Sequence, residues 1–150
     1  MKAITTVFVV IATALLAQAR VMRSWTYQEL YDKADLVVIA NPTSVEDTAE
    51  QTVLPGIAPD INVVGRSAHF DISVVMKGDQ GLKKLVLHHY WWAYPAKLAM
   101  NGPTLAQFDP TENRRYLLFL QRESDGRYAP VSGQIDPAMI SILRLNGFAR

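Results

Sequence analysis

Alternation of apolar and polar side chains is the clearest pattern in the chain, and it predicts a β-hairpin. Within residues 70–76 every second side chain is apolar, which is the period of a strand with one buried face. Residues 77–81 contain two glycines and an aspartate, a composition typical of turns. The strand pattern then resumes over residues 82–92. We therefore predict that residues 70–76 and 85–92 are adjacent antiparallel partners.

Three shorter segments add strands to this hairpin. Residues 36–40 are rich in β-branched side chains and predict a buried strand, which is broken or bulged at Pro42. Residues 116–120 form a continuous apolar run, the pattern of a strand buried on both faces. A turn at residues 124–126 connects this strand to residues 127–131, which gives a second hairpin.

Capping signals predict one short helix near each end of the domain. The segment 26–34 begins with a threonine followed three residues later by a glutamate, which is a capping box, and its apolar residues then recur at helical spacing. Asp136 is a candidate N-cap with Pro137 at the first helical position, and the Asn-Gly pair at residues 146–147 would end that second helix.

The order of these elements predicts the fold class. Residues 46–62 and 93–113 carry several prolines and glycines without a sustained period, so we expect two long loops. Five strands and two short helices with no strand–helix alternation are typical of a mainly β protein. We predict a five-stranded barrel like that of the oligonucleotide/oligosaccharide-binding (OB) fold.

The first nineteen residues have the features of an export signal. Lys2 supplies a positive charge, residues 3–17 are apolar apart from three threonines, and Ala17 and Ala19 give the small-x-small site of signal peptidase. This stretch is shorter than the roughly 20 apolar residues that span a bilayer. We expect cleavage after Ala19, a periplasmic or secreted location without stable membrane insertion, and one domain over residues 20–150. An uncleaved anchor or a buried helix is the alternative interpretation.

Composition excludes several functional classes. The chain has 15 basic and 14 acidic residues, and removal of the leader with Lys2 leaves no net formal charge, so a nucleic-acid partner is not expected. There is no cysteine, which excludes disulfides, thiolate metal sites and a cysteine nucleophile. Ser132 lacks the glycine pattern of a nucleophile elbow, and no glycine-rich phosphate loop is present. We therefore expect a protein that is not an enzyme and needs no cofactor.

The strand patterns resemble those of a known family. The segments 34–40, 70–78, 115–120 and 125–128 follow one another as in the OB-type barrel of the tissue inhibitors of metalloproteinases and the related netrin-like modules. The resemblance implies a barrel scaffold over most of the mature chain. In that family an N-terminal cysteine, freed by signal cleavage, coordinates the zinc of the protease. Here the expected mature N-terminus is Arg20, so the resemblance does not extend to inhibition by that mechanism.

Four aromatic residues at the end of the predicted hairpin are the candidate binding surface: Tyr90, Trp91, Trp92 and Tyr94. Strand alternation places one tryptophan inside and its neighbour outside. An outward tryptophan that is substantially exposed beside Tyr90 would form a stacking platform for a saccharide or a protein partner. Packing of the same aromatic side chains in the core is the alternative interpretation.

The histidines suggest a second possible function. With a turn centred near residue 80, His69 and Asp71 would lie close to His88 or to His89, and two imidazoles with one carboxylate can hold zinc or copper. Adjacent residues on a strand point to opposite faces, so only one of the two neighbouring histidines could take part. The leading hypothesis is a non-enzymatic binding domain, and the alternative is a metal-binding envelope protein that uses His69, Asp71 and His88.

Overall fold

One helix and six strands form the described part of the chain. The computed structural model describes residues 23–54, 61–93, 104–136 and 138–145, so the expected leader lies outside the described residues. The elements in chain order are α1 (Tyr27–Lys33), β1 (Leu36–Leu54), β2 (Ile61–Lys77), β3 (Lys84–Trp92), a 3-10 turn (Pro110–Glu112), β4 (Arg115–Arg122), β5 (Tyr128–Pro130) and β6 (Ile142–Leu145).

Five of the strands close into a ring. The order of neighbours is β1-β2-β3-β5-β4, and β4 pairs with β1 to complete the circuit. Every pairing is antiparallel except that of β3 with β5, which is parallel and consists of one register position, Leu87 opposite Tyr128. The sixth strand, β6, extends the sheet beside β4. The prediction of a mainly β fold is therefore confirmed.

The predicted hairpin has the correct neighbours but a different register. β2 and β3 are antiparallel partners, yet their pairing runs from Val63 opposite Trp92 to Asp71 opposite Lys84. Beyond Asp71, β2 pairs with β1 and no longer with β3; Val75, for example, lies opposite Val38. The prediction for residues 72–76 is therefore wrong, because the register of β2 with β3 ends at Asp71 opposite Lys84, whereas its pairing with β1 continues to Lys77.

The predicted loop at residues 46–62 is largely sheet. β1 continues to Leu54 and β2 begins at Ile61, while residues 55–60 lie outside the described part. Alternation is interrupted along β1 because its register with β2 shifts at several positions, including between Pro42 and Ser44 and between Asp47 and Gln51. A bulge adds an unpaired residue and breaks the period of two by which a strand is recognised. The expected bulge near Pro42 is confirmed.

The predicted C-terminal helix is wrong. Asp136 does accept backbone hydrogen bonds, from Ala138 and Ile140, at 3.0 Å each. Met139 however has a φ of 47°, a left-handed conformation that a right-handed helix does not contain. The chain then forms β6, which pairs with β4 from Arg115 to Leu118, on the stretch of β4 that lies before its pairing with β5.

The core of the protein fills the ring and continues under the helix. Apolar side chains from β1 to β4 meet inside the ring with Phe108, which comes from the segment before β4. On the outside, α1 buries Leu30 against Phe119 and Val131. The predicted capping box is confirmed: Thr26 Oγ1 accepts from the Glu29 amide at 3.2 Å, and Glu29 Oε2 accepts from the Thr26 amide at 2.8 Å. In the described ranges, no helix is long and apolar enough to cross a membrane.

Candidate functional site

The predicted aromatic surface is only half exposed. Leu85 and Leu87 point into the ring, so strand alternation places Trp91 on the inner face and Tyr90 and Trp92 on the outer face. All three aromatic side chains are half-buried and pack against an apolar cluster of Leu54, Ile61, Val63 and Leu105. The prediction of a substantially exposed tryptophan is therefore wrong. The fourth residue, Tyr94, lies outside the described residues.

The predicted metal ligands do not meet. His69 lies opposite Val86, and its Nε2 is 3.2 Å from Glu46 Oε1. Asp71 lies opposite Lys84, with 3.9 Å between carboxylate and ammonium. His88 lies opposite Ser67, two positions away from His69 along β2. In the ranges that the structure describes, no group of three or more histidines and carboxylates could hold a metal ion.

His88 is instead the centre of a buried polar cluster that the sequence did not predict. We call this the His88 cluster: Glu50, His88, Tyr90, Glu123 and Arg127. His88 is 5% exposed. Its Nδ1 lies 2.9 Å from Glu123 Oε2, and its Nε2 lies 3.1 Å from Glu50 Oε2 without the alignment of a hydrogen bond. The hydroxyl of Tyr90 donates to Glu50 Oε1 at 2.6 Å.

Three separate parts of the chain supply the cluster. His88 and Tyr90 lie on the outer face of β3, Glu50 comes from β1, and Glu123 and Arg127 flank the turn between β4 and β5. Arg127 donates to Asp125 at 2.7 Å and lies farther from both carboxylates of the cluster, 3.8 Å from Glu50 and 3.9 Å from Glu123. This turn lies beside His88 because β3 and β5 are neighbours in the ring.

A glycine on β2 lets Glu50 reach the cluster. Gly65 lies opposite Tyr90, and a Cβ at this position would be 2.8 Å from Thr48 Oγ1 and 2.9 Å from Glu50 Oε2. The same threonine donates to the carbonyl of Gly65 at 2.9 Å and accepts from the amide of Glu50 at 3.2 Å. The irregular register between Asp47 and Gln51 thus folds Glu50 closely over β2, where any side chain in place of Gly65 would collide with it.

The electrostatics of the cluster are those of a semi-buried ion network. Burial, and the hydrogen bond to the Glu50 carboxylate, raise the pKa of Tyr90 to about 12, so its hydroxyl remains a donor at neutral pH. Glu50 and Glu123 retain 36% and 30% side-chain exposure, so both side chains remain partly accessible to solvent.

The cluster presents hydrogen-bonding groups to a ligand, but it is poorly arranged for proton transfer by His88. Both imidazole nitrogens already face carboxylates, and the ring is nearly inaccessible, so it cannot act as a free base toward a substrate. The carboxylates of Glu50 and Glu123 are held by these contacts, and their side chains remain partly exposed. Sequence reasoning considered His88 and Tyr90 but missed Glu50, Glu123 and Arg127, because their approach depends on the ring closure and on the irregular course of β1.

Comparison of the chain with protein-family models, with curated proteins and with solved structures found no match.

Proposed function

We propose that this chain is an exported, non-enzymatic domain that binds a neutral saccharide on the outer face of an OB-like barrel. The closed order of five strands around an apolar core supports the barrel. This is the scaffold of the tissue-inhibitor and netrin-like modules that the strand patterns resemble. OB-type barrels bind oligosaccharides or oligonucleotides with the faces of the second and third strands and with the loop between the fourth and fifth.

The His88 cluster is the observation that carries the proposal. It combines the outer face of β3 with the β4–β5 turn, the two regions where such a barrel binds its ligand. Two partly exposed carboxylates lie there on either side of one buried imidazole, at 2.9 Å and 3.1 Å, and the hydroxyl of Tyr90 donates to one of them. A binding site whose polar groups are already ordered loses less conformational entropy when the ligand arrives.

The chemistry of the cluster suits a neutral saccharide. Carboxylates accept hydrogen bonds from sugar hydroxyls, and the guanidinium of Arg127 donates to sugar oxygens. Tyr90 and Trp92 lie half-buried on the same outer face, and the exposed part of each ring can contact the C–H face of a sugar. Two carboxylates at the centre repel a phosphate backbone, and the expected mature chain, without Lys2, has no net positive charge that would attract one.

A glycan array, followed by calorimetric titration of the saccharides that bind, tests the proposal. We expect Glu123→Gln and Arg127→Gln to weaken binding at least tenfold, since each removes a charged hydrogen-bonding group at the contact surface. Glu112→Gln is the matched control, because Glu112 is an exposed carboxylate paired with Arg114 on the 3-10 turn, outside the cluster.

Thermal melts of the variants separate loss of binding from loss of folding. Absence of binding to every saccharide on the array would contradict the proposal, and so would equal affinity of the Glu123→Gln and Glu112→Gln variants. If a protein but no saccharide bound at the same surface, the ligand would be a protein and the saccharide proposal would be wrong.

A further inference from the structure

A cavity of about 490 Å³ lies at a different place on the ring from the His88 cluster. All five strands of the ring contribute to its lining, from Thr43 on β1 to Tyr128 on β5. Its volume falls within the roughly 300–1,000 Å³ of small-molecule sites, which often occupy the mouths of β-barrels. None of the residues of the His88 cluster lines it.

The floor of this cavity is apolar and belongs to the core. Phe70 and Leu85, which are 1% and 4% exposed, lie in the lining together with Leu82 and Tyr128, and all four pack in the core of the ring. An apolar depression that reaches the core favours a ligand with an apolar body, because burial of that body removes hydrocarbon surface from water.

Irregular backbone opens the wall of the ring at this place. The register shift between Pro42 and Ser44 leaves Thr43 without a β2 partner, and its hydroxyl donates to the carbonyl of His69 at 3.2 Å. β3 pairs with β5 only at Leu87, so its first residues have no register partner on β5. Bulges and interrupted pairing of this kind frequently border binding sites.

The charged groups of the lining are the cations Lys84 and Arg122. His69 also lines the cavity, and among its described lining residues there is no carboxylate. His69 and Lys84 have acidic neighbours at 3.2 Å and 3.9 Å, but those contacts are largely exposed and therefore weak. The ion pairs of the described ranges do not include Arg122, whose backbone amide donates to Asp35.

We infer that this cavity binds a small amphipathic anion, such as a free alkyl carboxylate. Its alkyl chain lies against Phe70, Leu85 and Tyr128, and its negative group lies at the rim near Lys84 and Arg122. The inference stands apart from the proposed saccharide function, since it uses a separate set of residues.

Calorimetric titration of the purified chain with hexanoate, octanoate and 1-octanol tests the inference. We expect affinity to rise about fourfold per added methylene, as for burial of a CH₂ group, and 1-octanol to bind at least tenfold more weakly than octanoate. The Lys84→Gln/Arg122→Gln double variant should also lose at least tenfold in octanoate affinity. Lys83→Gln/Arg115→Gln is the matched control, because both residues are exposed cations that do not line the cavity.

A bulky side chain at the rim tests the location. Ser44→Trp should abolish octanoate binding, whereas Ser73→Trp, at an exposed position on β2 outside the cavity, should leave it unchanged. Absence of octanoate binding, equal affinity for octanoate and 1-octanol, or unchanged binding in the double variant or in Ser44→Trp would overturn the inference. Sedimentation with phosphatidylglycerol vesicles distinguishes the source of the anion. Vesicle binding that Ser44→Trp abolishes would show that the anion is a bilayer lipid, and it would overturn the inference of a free ligand.

Discussion

His89 should make the stability of the protein depend on pH, because its imidazole is buried without compensation. The ring is 1% exposed, it packs edge-on against Phe108 with 5.1 Å between centroids, and neither of its nitrogens has a well-formed hydrogen bond in the described ranges. Burial, assisted by the nearby Arg66 guanidinium, lowers the pKa of His89 to about 4 from its ordinary value of 6.5. Contacts with the backbone of Tyr90 and Ala106 raise the pKa of His89, but by less than burial lowers it.

The sign and size of the effect follow from these two pKa values. Below pH 6.5 the imidazole of the unfolded chain takes up a proton, whereas the folded ring resists protonation until about pH 4. The unfolded state therefore binds more protons in this window, and the free energy of unfolding falls as the pH falls. Between pH 7.5 and pH 5 the loss amounts to about 2 kcal/mol, a large fraction of the stability of a small domain.

Urea unfolding at several pH values, followed by tryptophan fluorescence, measures this loss. His89→Leu removes the titrating group from a site of suitable size, so its loss of stability between pH 7.5 and pH 5 should be about 2 kcal/mol smaller than that of the wild type. Leu118→Ala is the control, because it destabilises the core without removing a titrating group and should keep the wild-type pH dependence. Parallel pH profiles for wild type and His89→Leu would refute the reasoning.

Three further predictions concern the backbone, the core and the leader. Gly65→Ala should destabilise the protein by about 1–3 kcal/mol, because the new Cβ would lie 2.8 Å from a side-chain oxygen. Gly81→Ala is the control: its new Cβ would lie 3.2 Å from the nearest atom, so the loss of stability should be smaller. Equal losses of stability in urea titrations of the two variants would contradict the close approach at Gly65. Leu118→Ala should cost about 2–5 kcal/mol, and a loss below about 1 kcal/mol would mean that this side chain is not central to the core. N-terminal sequencing of the exported protein should begin at Arg20, and an intact N-terminus would show that the leader prediction is wrong.

The secondary structure was predictable wherever local pattern and local pairing agree. The capping box of α1 and the apolar run of β4 appear where the sequence places them, because each depends on neighbouring residues. The segment after Asp136 was mistaken for a helix since its capping signals are genuine: the aspartate does cap a turn, at Ala138 and Ile140. A free stretch of β4 then pairs with Ile142–Leu145 as a strand, and that sheet pairing overrides the local preference for a helix.

The candidate site was predictable only in part. The sequence directed attention to the histidines and aromatic residues of β3, which is one side of the His88 cluster. It did not indicate Glu50 or Glu123, because a solvent-facing glutamate and a glutamate in an ion network have the same local sequence features. The register of β2 with β3 also separated His69 from His88 and removed the predicted metal site. A two-residue shift along a strand has no signature in the alternation of side chains.

Local sequence patterns are enough to identify a mainly β protein, since period-two alternation and β-branched runs favour strands whatever their partners are. Which strand edges meet, and therefore which side chains share a face, depends on the three-dimensional fold. The ring closes because β1 pairs with both β2 and β4, and the irregular course of β1 folds Glu50 over Gly65 toward His88. These contacts join residues far apart in the sequence, such as Leu36 with Leu120 and Glu50 with Tyr90, and their free energy depends on the whole sheet, so no local window of the sequence contains them.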